Sequence, residues 1–262
     1  MTGDDAIVQP LKGRRPPTFG RVAAMVATRN DLNVMLDQLG ASPESGRSLF
    51  LSQLHLNPSQ TGRFALVGPV MGASYAAAVL ESLIVWGAEQ ILFLGWCGAV
   101  SPLVRSGDLI LPSAALIDEG TSRHYQTDPA PVAIPTVGLH QHLRALLKTS
   151  GADFHEGLIW TTDAIFRETP SKVKSHQRLD VLGVEMELSA LFTVAAFRQV
   201  QLAGLLVVSD ELSRLSWQAG FKCETFHKTR QRACRLVLEA CRTLATPLGV
   251  DPPFPLIPED AH

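Results

Sequence analysis

Short apolar runs alternate with helix-period segments from residue 22 to residue 244 with no polar linker between them. This alternation constrains the fold more than any other feature of the chain. The run at residues 22–26 is followed by cap candidates at 28–31 and by Leu32, Val34, Met35 and Leu39, which reads as strand, loop and helix. Residues 48–56 and 63–67 are β-type runs joined by Asn57-Pro58-Ser59-Gln60-Thr61-Gly62, which predicts a hairpin. Residues 73–86 are helical by the spacing of Ala76, Leu80, Leu83 and Ile84, and the strand at 91–94 ends in Gly95-Trp96-Cys97-Gly98, a candidate ligand loop. Strands are expected at 109–111, 157–160, 183–185 and 202–208, and helices at 137–147, 172–179, 187–198 and 226–244. The pattern predicts one mixed α/β domain with a central sheet, covering residues 20–262 behind an arm at 1–19 that is rich in Pro, Gly and basic residues. In such sheets ligands sit beyond the carboxyl ends of strands, so residues 68–72, 95–98, 160–163 and 208–210 are expected to converge on one cleft.

Composition narrows the function. Of 262 residues, 46% are hydrophobic and 18% charged, against about 25% charged in typical domains, which excludes disorder over most of the chain. So few charges suit a partly covered surface, and a homo-oligomer is expected. With 23 basic and 25 acidic residues there is no electrostatic case for nucleic acid or an anionic membrane, which leaves a small molecule as the expected partner. The four cysteines lack metal-ligand spacing, so reduced thiols and no metal are expected. The N-terminus has neither a basic n-region nor an apolar h-region, and the apolar stretch at 64–80 is broken by Gly68, Pro69, Gly72 and Ser74. A cytoplasmic protein without a membrane span is the expectation.

GxGxxG after the first strand, GxxxxGK[ST], HExxH and GxSxG are all absent. The chemistry left to consider is that of acids at sheet ends. Glu185-Met186-Glu187 stands where a strand hands over to a helix; two carboxylates there suit a fork on a sugar diol, and equally suit a helix N-terminus. Asp210 succeeds the apolar Leu205-Leu206-Val207-Val208 and is placed either to donate a proton or to cap the next element.

Together with these acids, Gly95-Trp96-Cys97-Gly98-Ala99-Val100, Gly107-Asp108-Leu109-Ile110, Glu119-Gly120-Thr121-Ser122, Val184-Glu185-Met186-Glu187 and Val207-Val208-Ser209-Asp210 occur in an order that resembles the nucleoside phosphorylase superfamily of purine nucleoside phosphorylases, uridine phosphorylases and nucleosidases. The resemblance covers residues 22–244. It implies a three-layer α/β/α domain with a mixed, partly barrel-like sheet, and cleavage of the N-glycosidic bond of a nucleoside. No cofactor is implied beyond inorganic phosphate as co-substrate, and the assembly implied is a homo-oligomer, dimer or hexamer.

Carried onto this sequence, the resemblance gives Met186 and Glu187 contact with the ribose, with Glu185 beside them, and makes Asp210 the acid that protonates a departing purine. Lys222 falls where the purine enzymes have an arginine that aids that acid. Trp96, Cys97 and Gly98 line the substrate site. Phe166 is a stacking candidate, and Arg167 and Glu168 are base-edge candidates or a solvated surface pair. Two positions depart from the family: Phe93 stands in place of a phosphate-binding arginine and Trp96 in place of a small hydroxyl residue. The glycine-rich first phosphate loop is reduced to Ala27-Thr28-Arg29-Asn30-Asp31, so phosphate would depend on Arg29 and on Arg47, the latter matched to an arginine donated by a neighbouring subunit. Phosphorolysis leads if those arginines rebuild the anion site. Hydrolysis, a uridine-type phosphorylase and a non-catalytic nucleoside-binding protein are the alternatives.

Overall fold

The computed structural model describes residues 6–57 and 63–246. Its elements are β1 (Val22–Val26), α1 (Arg29–Leu39), β2 (Arg47–Leu49), β3 (Ser52–Leu56), β4 (Phe64–Gly68), α2 (Ala73–Val85), β5 (Gln90–Ala99), β6 (Leu109–Asp118), β7 (Val132–Ala133), α3 (Val137–Thr149), β8 (His155–Thr162), α4 (Pro170–Gln177), β9 (Gly183–Glu185), α5 (Leu188–Arg198), β10 (Gln201–Glu211), β11 (Gln218–Ala219) and α6 (Glu224–Ala245).

The opening strand shows why these runs are apolar throughout. Ala23 and Met25 of β1 point into a core shared with α2 and α5, while Val22, Ala24 and Val26 point into a second core beneath α1, α3 and α6. With helices on both faces, neither side of the strand meets water. β1 runs parallel between β4 and β5, and β3 and β2 extend the sheet antiparallel past β4. On the other side come β5, β9, β8, β6 and β10 in turn, and β10 pairs back onto β5 in parallel, closing a five-stranded ring. This is the three-layer arrangement with a partly barrel-like sheet.

The hairpin expected around residues 57–62 joins β3 to β4, though 58–62 themselves lie outside the described residues. Its first run is two strands, split by Phe50 and Leu51, with Phe50 at φ 53°. A phenylalanine in the left-handed region is strained, and the tight return from β2 to β3 requires it. Residues 6–19 form no helix or strand, but the arm is pinned: Trp86 Nε1 donates to Lys12 O at 3.1 Å, and Phe19 is buried.

Two expectations are corrected at the sheet's carboxyl ends. Gly95 to Gly98 do not form a loop, because β5 continues to Ala99, paired with β10 and then β9. The glycines serve close approach instead: a Cβ on Gly95 would sit 2.6 Å from the Phe93 ring, and one on Gly98 would sit 2.5 Å from Leu212. Likewise β10 runs past Val208 to Glu211, through a bulge between Val208 and Asp210, so Asp210 caps no helix.

Candidate active site

Three buried carboxylates gather at the start of α5. Glu185, at the end of β9, accepts from the backbone N–H groups of Glu187 and Leu188, both at 2.8 Å, and from the Thr161 hydroxyl. Thr161 is itself held by the Ser189 amide at 3.0 Å. Glu185 therefore caps the helix, satisfying donors that the first turn leaves open. Glu187 is directed elsewhere: its Oε1 accepts the N–H of Gly72 at 2.6 Å, at the start of α2. Gly72 has φ 86°, a conformation open to glycine, and this aims its amide at the carboxylate. Glu119 accepts from the Thr121 amide at 2.5 Å and from Ser189 Oγ at 3.0 Å. Burial raises the carboxyls of Glu185 and Glu187 above the ordinary range, and the charge of Glu185 adds to the rise at Glu187. Met186 between them is half-buried.

Asp210 approaches from β10 and pairs with Gly98 of β5, where the absent side chain leaves room: a Cβ there would lie 3.1 Å from Asp210 Oδ2. Ser209 Oγ donates to Asp210 Oδ1 at 2.6 Å, and Trp217 Nε1 donates to Oδ2 at 2.9 Å. The Cys97 thiol is pushed well up by burial and then by the charges of Asp210 and Glu185, which places all three in one neighbourhood. Glu168 is pushed up to about 7, chiefly by burial and next by Asp210. Of the segments expected to meet in one cleft, residues 95–98 and 208–210 adjoin through the pairing of β5 with β10, and β9 pairs with β5 beside them. An open cleft of about 470 Å³ is lined by Ser74, Gly120, Thr121 and Asp163 among others, and of the segments expected to share a cleft only Asp163 lines it; Asp163 accepts the Gly120 amide at 2.8 Å.

Other candidates stand apart. Phe166 is 96% exposed on the turn before α4, and Arg167 is exposed with no side-chain partner among the described residues. Lys222 is exposed between β11 and α6 and pairs with no carboxylate among the described residues; the group on Asp210 is Trp217, which sequence reasoning missed. Arg29 opens α1, exposed, while Arg47 donates to Arg15 O at 2.6 Å and lies over the Trp86 ring. Phe93 is wholly buried in the core.

Trp96 turns towards α1 and α6. Its Nε1 donates to Asp31 Oδ2 at 2.5 Å, and Arg230 Nε donates to Asp31 Oδ1 at 2.5 Å, with the guanidinium 5.4 Å from the Trp96 ring centre. Asp31 and Arg230 were also missed, since nothing local in the sequence joins a first-turn aspartate to an arginine near the chain's end. Among the described residues no group of three or more His, Cys, Asp or Glu is arranged to hold a metal ion.

Residues 21–245 match the phosphorylase superfamily, and the chain belongs to it. Among curated proteins, a purine nucleoside phosphorylase of the DeoD type from Shewanella oneidensis is 30% identical over 149 residues, covering 56% of this chain and 63% of that protein, so the match spans less than two thirds of that relative's length. Among solved structures, uridine phosphorylase from Vibrio fischeri superposes with a TM-score of 0.71 at 20% identity, covering 84% of this chain and 91% of that one. The 5′-methylthioadenosine/S-adenosylhomocysteine nucleosidase from Helicobacter pylori superposes with a TM-score of 0.69 at 15% identity, covering 86% and 98%. At these identities the two structures speak to the fold.

Proposed function

We propose that the protein is an enzyme that cleaves the N-glycosidic bond of a nucleoside with a purine-type base. The observation that carries this reading is the delivery of Glu187 and Asp210, from different elements, to one end of the five-stranded ring, where Gly98 of β5 pairs with both Asp210 of β10 and Val184 of β9. Breaking the bond builds positive charge on the ribosyl ring and negative charge on the base. In this reading Asp210 protonates the departing base, and Glu187 accepts hydrogen bonds from the ribose hydroxyls. Met186 packs beside the sugar, and Glu168 meets the base.

Water is the acceptor that the geometry favours. Trp96 occupies the position of a small hydroxyl residue, its neighbour Asp31 is a buried carboxylate, and Arg47 is engaged by the arm. Asp31 already takes the Trp96 N–H and the Arg230 Nε–H, two donors that an incoming anion would otherwise meet. Phosphate remains the second reading, supported by the similarity to purine nucleoside phosphorylases. The working unit is a homo-oligomer with a dimer as its minimum, which suits the exposure of Phe50, Leu51, Met71 and Phe166. A panel of nucleosides incubated with and without phosphate tests the reading. Release of free base and free sugar in both conditions supports hydrolysis, sugar 1-phosphate only with phosphate supports phosphorolysis, and no release of any base removes the proposal.

A further inference from the structure

Trp217 is 64% exposed, yet its indole is fixed at two points. Its Nε1–H donates to Asp210 Oδ2 at 2.9 Å, and its ring meets Phe221 with centroids 6.3 Å apart. The backbone reinforces the bond, because the next two residues, Gln218 and Ala219, pair antiparallel with Glu211 and Asp210. Donor and acceptor are therefore held by one short ladder. The other oxygen of Asp210 accepts from Ser209 Oγ at 2.6 Å.

An indole N–H donates and cannot accept, and it carries no charge. A lysine or arginine in the same place would favour the carboxylate through its charge and weaken the group as an acid, whereas a neutral donor orients the carboxyl with less bias. We propose that Trp217 is the positioning residue of Asp210, holding its carboxyl by a neutral N–H in the orientation from which the proton passes to the leaving base. The inference deepens the proposed function and rests on Asp210 as proton donor. In the step, the carboxyl proton moves to a ring nitrogen of the base as the C1′–N bond breaks and its electron pair moves onto the base. Asp210 is left as a carboxylate, met by two donors already in place. C1′ takes the oxygen of water, the acceptor of the proposed reading, and the proton that water gives up restores Asp210.

Two substitutions test this. Trp217→Phe keeps a ring and removes the donor, while Trp217→His keeps a ring N–H. Each is assayed beside Asp210→Asn on the best purine nucleoside and on a nucleoside whose activated leaving group departs without a proton. Trp217→Phe is expected to lower kcat on the purine nucleoside about tenfold to a hundredfold, the worth of a hydrogen bond to a charged group, with KM little changed. Turnover of the activated substrate should hold, Trp217→His should recover part of the loss, and melting should stay near wild type because the side chain is exposed. Unchanged kcat in Trp217→Phe, or an equal fall on both substrates, overturns the inference. If Asp210→Asn spares the activated substrate and Trp217→Phe does not, the inference fails while the proposed function stands. If Asp210→Asn also falls equally on both, Asp210 is no proton donor and the two fail together.

Discussion

The Gly72 amide donates to Glu187 Oε1 at 2.6 Å, tying the start of α2 to the start of α5 across 115 residues of sequence. One oxygen of Glu187 is thereby fixed by backbone. The bond also offsets part of the cost of burying the carboxylate. Its geometry depends on a glycine at φ 86°, so the orientation of a side chain on one helix is set by a backbone conformation before another.

Glu187→Gln is expected to lower kcat/KM for nucleosides severely while the fold remains. Above its raised value Glu187 is a carboxylate that accepts with two oxygens, whereas an amide accepts with one and presents donors on the other side, so the loss is read on the alkaline side of neutral. Turnover compared with thermal melting checks this. Near-normal kcat/KM in a stably folded variant removes Glu187 from the ribose site.

The same pair should leave a signature in stability against pH. Folded Glu185 and Glu187 hold protons that the unfolded chain, at the ordinary carboxyl value of 4.5, has released. Their contribution is thus complete below that value and is lost as pH rises through the raised folded values towards and past neutral. Melting temperature measured from about pH 5 to about pH 9 should fall over this window, and Glu187→Gln should flatten the slope. An equal slope in wild type and variant contradicts the assignment.

Arg230→Met is expected to destabilise the protein by about 3–5 kcal/mol, since it leaves the Asp31 carboxylate, 1% exposed, without its cation. Asp31→Asn made in the same chain should restore part of the loss. Denaturant unfolding of both variants measures it, and a single variant as stable as wild type would show the pair to be dispensable.

Sedimentation velocity at micromolar concentration is expected to give a dimer or larger assembly. A monomer that still turns over nucleoside contradicts the oligomer and leaves Arg47 no role as a ligand shared between subunits.

Much of this was legible in the sequence, for reasons that differ by element. The apolar run of β1 and the apolar stripe of α6 are local patterns, and each helix or strand they imply is present close to its expected bounds. Glu187 and Asp210 stand out in the sequence because each succeeds a short apolar run, where topology places ligands, although β10 in fact continues through Asp210 to Glu211. Gly95 to Gly98 misled because glycines read as a turn, whereas here they admit Phe93, Leu206 and Leu212 against a strand that continues. Gly72 on Glu187 and Arg230 on Asp31 were hidden because each contact joins elements that only the folded sheet brings together, and sequence spacing carries no trace of it. Trp217 lies seven residues from Asp210 across the β10–β11 return, a two-residue ladder too short for a hydrophobic pattern to mark.

The central claim is that Asp210 delivers the proton that lets the base depart, and kcat of Asp210→Asn on the best purine nucleoside tests it most directly. The variant keeps the size of the side chain and loses its transferable proton, so turnover should fall by about two to four orders of magnitude while substrate binding changes far less. Turnover equal to wild type would contradict the account and leave Asp210 as a strand residue whose hydrogen bonds to Ser209 and Trp217 are structural.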